Sequence, residues 1–166
     1  MQNKQQFIDV IKENEGIIYK VTRIYSFSKE DQKDLYQEII YQLWNSYENF
    51  RGESKISTWV YRIALNTSIA HLKLQKRNSN RVSIHDFPIQ LVDEADTLME
   101  ERTALLYAQI KGLNEVDKAI ILLFLDGKSY DEMSQITGLS TTNIGTRLGR
   151  IKQKLKSEMT ENHGTR

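Results

Sequence analysis

Between residues 54 and 85 the chain collects Lys55, Arg62, Lys73, Lys76, Arg77 and Arg81, with Trp59, Tyr61 and His71 interleaved. No Asp or Glu occurs from Ser54 to His85, although the chain holds 22 acids elsewhere. Groups of this kind make and break no bonds. Cations neutralise a phosphate backbone, and an amide such as Asn66, or an aromatic ring, reads or stacks on unpaired bases. A second acid-free run extends from Met133 to Ser157. It opens with the small polar side chains Ser140, Thr141, Thr142, Asn143 and Thr146, and then gathers Arg147, Arg150, Lys152, Lys154 and Lys156. Those types, in that order, suit base edges and phosphates in a duplex groove.

The groups that covalent catalysis needs are not assembled. The three histidines fall at positions 71, 85 and 163 and form no metal-ligand spacing. No glycine loop cradles a phosphate, and no nucleophile elbow is present. With no cysteine in the chain, disulfides, Cys-type zinc sites and thiol chemistry are excluded. Asp34 and Glu38 lie one helical turn apart, but no His, Lys or metal ligand accompanies them, so a solvated or partner-facing patch is the expectation. No enzyme, catalytic residue, metal or cofactor is expected. No run of 18 apolar residues exists, and MQNKQQFIDVIKENEG lacks a signal-peptide core, so a cytoplasmic chain without direct membrane insertion is expected.

The elements that position these groups are helical. One proline and 8 glycines leave little punctuation for a many-stranded fold. The pattern predicts helices over 4–25, from Ser28 onward with a seam at Leu35, Ile39, Leu43 and Tyr47, and over 58–77. Steps of 100° put Arg62, Asn66, Lys73, Lys76 and Arg77 on one side of the third helix, opposite Val60, Ile63, Ala64, Thr67, Ala70 and Leu74. The loop Phe50–Ser57 leads into it, with Gly52 able to take a positive φ. Taken alone, such a basic face is equally the solvated side of an ordinary helix.

Residues 78–97, with the lone Pro88 and no sustained period, read as an acidic flexible linker. Net charge divides as +3 over 1–77, −5 over 78–101 and +3 over 102–166. Helices are then expected over 98–111, from Asn114 to about Gly127, over 130–137 after a Ser129/Glu132 capping box, and from Thr141 to about Lys156. The last two, joined by Gly138-Leu139-Ser140, have helix-turn-helix spacing, with Met133, Ile136, Leu139, Ile144 and Leu148 fixing their angle. The fold expected is all-α: two small helical domains, 1–77 and 98–160, on a flexible linker, the second containing the helix-turn-helix.

DQKDLYQEIIYQLW (31–44), FRGESKISTWVYRIALNTSIAHLKLQKR (50–77) and GKSYDEMSQITGLSTTNIGTRLGRIKQKL (127–155), in that order, resemble the bacterial sigma factors of the extracytoplasmic-function group, within the sigma-70 family. The resemblance implies a factor that binds core RNA polymerase and directs promoter-specific initiation. It implies that Asp34, Leu35, Gln37, Glu38 and Trp44 dock on the polymerase clamp helices, and that the helix around Leu122–Leu125 holds the flap. Arg51, Ser54, Lys55, Trp59, Arg62 and Asn66 match the part that melts the minus-10 element and holds a flipped base, with Lys73, Lys76 and Arg77 on duplex phosphates. Ser140, Thr141, Thr142, Asn143, Thr146, Arg147 and Arg150 match the helix that reads the minus-35 element.

An anti-sigma partner, often membrane-bound, is a further implication. The chain departs from the pattern at Gly145, where Lys or Arg is usual, at Gly149, at Asn114 in place of Leu-Pro and at Ser134 in place of Ala. Two other readings compete with the sigma factor: a stand-alone helix-turn-helix regulator, and a helical interaction module with incidental basic faces.

Overall fold

The computed structural model describes residues 2–78 and 98–164; the expected linker lies outside these, apart from Asn78. The chain divides into two units, residues 1–90 and 91–166. Among the described residues every regular element is a helix.

The first unit holds α1 (Gln2–Tyr25), α2 (Lys29–Tyr47) and α3 (Ile56–Asn78), each packed on the other two. From α2, Leu35, Ile39 and Leu43 enter the core at intervals of four, as the spacing requires. They meet Phe7, Val10, Ile18, Val21 and Ile24 of α1 and Val60, Tyr61, Ala64, Leu65 and Leu72 of α3. Each fully buried Leu or Ile contributes about 1.5–3 kcal/mol from removed apolar surface. Ser28 opens α2, its hydroxyl accepting the Asp31 N–H at 3.0 Å, while Asp31 Oδ2 accepts the Phe27 N–H at 2.9 Å. Ser28 is thus the cap, and Asp31 ties down the residue before it in place of the Ser28 N–H that a full capping box would bind.

The basic helix differs from its sequence-based outline in two ways. It starts at Ile56, two residues before Thr58. Its buried stripe is also rotated, because Tyr61, Leu65, Ser68 and Leu72 face the core while Ala70 and Leu74 face solvent, Leu74 at 58% exposure. Val60 and Ala64 are buried as the spacing requires, but the apolar residues on that helix cover more than one face, so periodicity alone set the stripe off-centre towards the C-terminal end.

The second unit holds α4 (Leu98–Lys111), α5 (Glu115–Leu125), α6 (Tyr130–Thr137) and α7 (Thr141–Gly164). The α5, α6 and α7 helices pack together, and α4 touches α5 and α7. Asn114 caps α5, and Ser129 with Glu132 forms a complete capping box on α6. Gly127 and Gly138 close α5 and α6 with φ of 78° each, a left-handed turn that glycine adopts without a Cβ penalty. Met133 and Ile136 of α6 meet Ile144, Leu148, Ile151 and Leu155 of α7 in the core; Leu139 is only half-buried. The α7 helix runs past Lys156 to Gly164, because no glycine or proline interrupts residues 157–163.

Candidate nucleic-acid interface

The loop 50–55 is tied down at its base. Phe50 lies 5.0 Å from Trp59, ring centre to ring centre, and Tyr47 packs on the same indole at 6.2 Å. Trp59 is therefore buried, at 7% exposure, and is not a free platform for a base; it holds the loop against α3. The resemblance matches Trp59 to the minus-10 part; in this chain its ring is packed under the loop. Gly52, with φ of 73°, turns the loop, and Arg51 and Lys55 project from it while Ser54 is half-buried.

Along α3, Asn66, Lys73, Lys76 and Arg77 are exposed and Arg62 is half-buried, so the expected cationic face exists. Lys76 and Arg77 occupy the last turn, where the helix dipole also favours positive charge. His71 is not part of that face. Its Nε2 donates to Asp31 Oδ1 at 2.8 Å, and Gln75 donates to the same oxygen. With the Phe27 N–H on its other oxygen, Asp31 accepts three donors and binds the start of α2 to the end of α3. Sequence reasoning took Asp31 as a cap alone; its partners lie 40 and 44 residues away.

On α2 the exposed strip runs Asp34, Gln37, Glu38, Tyr41 and Trp44. Gln42 donates to Glu38 Oε1 at 3.0 Å. Trp44 is 43% exposed and has one edge on Phe7, at 4.9 Å. Leu35, placed in this group by resemblance, is fully buried and supports the helix from inside. Tyr41, which the sequence reading did not single out, is 58% exposed on the same strip, off the buried seam of the helix. Tyr36, half-buried beside this strip, has its phenol pushed above the ordinary value, first by burial and then by the Glu15 carboxylate.

In the second unit, Ser140 caps α7 by accepting the Asn143 N–H at 3.1 Å. Thr142, Asn143, Thr146 and Arg150 are exposed on the side away from the buried Ile144 and Leu148, and Ser140 and Thr141 are exposed at the start of the helix. Arg147 is half-buried and held by Asp117 of α5, Nη1 to Oδ1 at 3.1 Å, and by Asn143, Nε to Oδ1 at 3.2 Å. Farther along, Lys152 Nζ sits 4.1 Å above the Phe124 ring, a cation–π contact that fixes one lysine to α5. Of the Leu122–Leu125 stretch, Leu122 and Leu123 are buried, Phe124 is half-buried and Leu125 is exposed.

The two unusual glycines differ in setting. A Cβ on Gly145 would lie 3.4 Å from the Tyr130 ring, whereas one on Gly149 would meet nothing within 4 Å. Gly149→Ala is expected to stabilise the second unit by about 0.5–1 kcal/mol, through helix propensity alone. Denaturant unfolding measures this, and a destabilised variant would show that Gly149 has a packing role.

Two family models match the chain: Sigma-70 region 2 over residues 10–78 and Sigma-70, region 4 over residues 103–155. The ECF RNA polymerase sigma-E factor of Haemophilus influenzae is 30% identical over 144 residues, spanning 80% of this chain and 76% of that one. That of Escherichia coli K12 is 28% identical over 141 residues, spanning 78% and 74%. Two solved structures share the fold at 19% identity. They are the sigma factor RpoE in complex with the anti-sigma factor NepR from Bartonella quintana (TM-score 0.71, covering 95% of this chain and 96% of that one) and CnrH in complex with the cytosolic domain of CnrY (TM-score 0.67, covering 95% and 90%). Both regions occur in order and a relative matches across most of its length, so the chain belongs to the sigma-70 family, in its extracytoplasmic-function group.

Proposed function

We propose that this sigma factor docks on core RNA polymerase through the exposed strip of α2, captures an unpaired minus-10 strand on α3 and reads a minus-35 element with α7. The observation that carries the reading is the presence of two acid-free polar and cationic surfaces together with one acidic, partly aromatic surface. The α3 face and the α7 N-terminus are free of acids, while Asp34 and Glu38 share an exposed strip of α2 with Tyr41 and Trp44. The first two suit a polyanion and the third a basic protein partner.

Strand capture needs no covalent step. Unstacking a base costs a few kcal/mol, offset when the extruded base and its backbone meet fixed polar and cationic groups. With Trp59 buried, that task falls to Asn66, Arg62 and the loop cations Arg51 and Lys55. Lys73, Lys76 and Arg77 then hold the adjoining duplex phosphates.

Among the described residues no helix is long and apolar enough to cross a membrane, and the proposed site of action, on polymerase and DNA, is the cytoplasm. A polypeptide regulator is included in the proposal, as NepR is for RpoE. A stand-alone helix-turn-helix regulator is not favoured, since it gives no reason for a sigma-70 region 2.

Asn66→Ala tests the reading. Open-complex formation by the reconstituted holoenzyme is expected to fall about 10- to 100-fold, the equivalent of one lost base contact, with core binding unchanged. Equal loss of both activities would remove Asn66 from strand capture.

A further inference from the structure

Arg147 is the one arginine on the exposed N-terminal part of α7 that is anchored from another helix. Asp117 Oδ1 accepts from its Nη1 at 3.1 Å, and Asn143 Oδ1 accepts from its Nε at 3.2 Å. Asp117 is itself held: its second oxygen accepts from Asn114 Nδ2 at 3.0 Å, and its N–H donates to Asn114 Oδ1 at 2.8 Å. Asp117 and Asn143, whose N–H groups bond to the caps of α5 and α7, thus converge on one guanidinium. The side chains of Asp117 and Arg147 are 20% and 35% exposed, so the pair is neither dissolved in solvent nor sealed from it.

A guanidinium offers five N–H donors in a rigid plane. Two are used here, which leaves three, including both on Nη2. An unanchored arginine on a long stem settles on whichever phosphate is nearest, and phosphate contacts carry no sequence information. One with its Nε edge and one Nη1 donor fixed presents its remaining donors in a single direction. Paired donors of this kind match O6 and N7 of guanine. Asp117 also offsets the arginine's charge, which weakens attraction to arbitrary phosphates.

We infer that Asp117 is a positioning residue for minus-35 recognition: through Arg147 it converts a general phosphate contact into the reading of a guanine. The inference rests on the assignment of α7 to the minus-35 element, and it adds a residue from α5 that never touches DNA. Its two signatures run in opposite directions. Removing Asp117 lowers sequence preference while leaving non-specific affinity unchanged or raised.

The experiment uses the full chain assembled with core polymerase and a duplex library randomised over the minus-35 window, with sequencing of the bound fraction. Wild type is expected to prefer guanine at the position Arg147 reads, on one strand or the other. Asp117→Ala should lower that preference about five- to tenfold, a part of what a bidentate contact supplies. Arg147→Ala should flatten the same position, and the double variant should match Arg147→Ala alone. Asp117→Asn, which keeps an acceptor oxygen, should recover most of the preference.

The inference is overturned if Asp117→Ala keeps the wild-type preference, even with a lowered melting temperature, since Asp117 would then be a cap and nothing more. It is equally overturned if Asp117→Ala flattens further positions in the Arg147→Ala background. A wild-type profile without any preference would overturn the minus-35 assignment itself, and this inference with it.

Discussion

Glu38→Lys is expected to lower affinity for core RNA polymerase about 30- to 100-fold while leaving the fold intact. Glu38 is exposed on α2, between Asp34 and Tyr41, and its carboxylate accepts a hydrogen bond from the neighbouring Gln42 amide. A reversal there places a cation against a basic partner surface, and like charges across an interface cost several kcal/mol. Surface substitutions away from packed features shift stability by only about 0.5 kcal/mol, so unfolding does not account for the loss. Competition against the wild-type chain for labelled core polymerase measures it. Undiminished binding would take Glu38 out of the docking surface and leave the exposed strip of α2 without its assigned partner.

The largest effect on folding is expected at Asp31. Its carboxylate accepts from the Phe27 N–H, His71 and Gln75, joining α2 to α3, and its side chain is only 11% exposed. Hydrogen bonds to a charged acceptor contribute about 1.5–3 kcal/mol each, less where the freed donor reaches water, as the exposed Phe27 N–H does. Asp31→Ala should therefore destabilise the first unit by about 2–3 kcal/mol. For a domain of this size that lowers the Tm by roughly 10–20 °C. Asp31→Asn keeps one acceptor and should lose less. A change within 0.5 kcal/mol for the alanine variant would mean that the three donors find water at no cost.

Much of this was legible in the sequence. Capping pairs such as Ser28 with Asp31, Asn114 with Asp117 and Ser129 with Glu132 act over three residues, so spacing reveals them. The four-residue seam of α2 and the glycine stops at 127 and 138 are equally local. Contacts over long sequence separations were not visible. Nothing in the spacing shows that Asp31 also receives His71 and Gln75, or that Asp117 receives Arg147 across 30 residues.

Aromatic type misled for the same reason. Trp59 is an aromatic in a basic segment, a type that suits base stacking, yet its ring packs against Phe50 and Tyr47. Leu35 was assigned to a partner surface by resemblance although its own i, i+4 pattern already put it inside, and Tyr41 was overlooked although that pattern put it outside.

Strand opening is the act on which the rest depends, and it is directly observable. Core polymerase loaded with the wild-type chain, on a promoter whose minus-10 region carries a fluorescent base analogue, should show the rise in emission that follows unstacking. Core polymerase alone, or the chain alone, should leave the base dark. A chain that joins the polymerase, holds the duplex and still produces no emission change on any promoter it transcribes from would contradict capture of a single strand by α3.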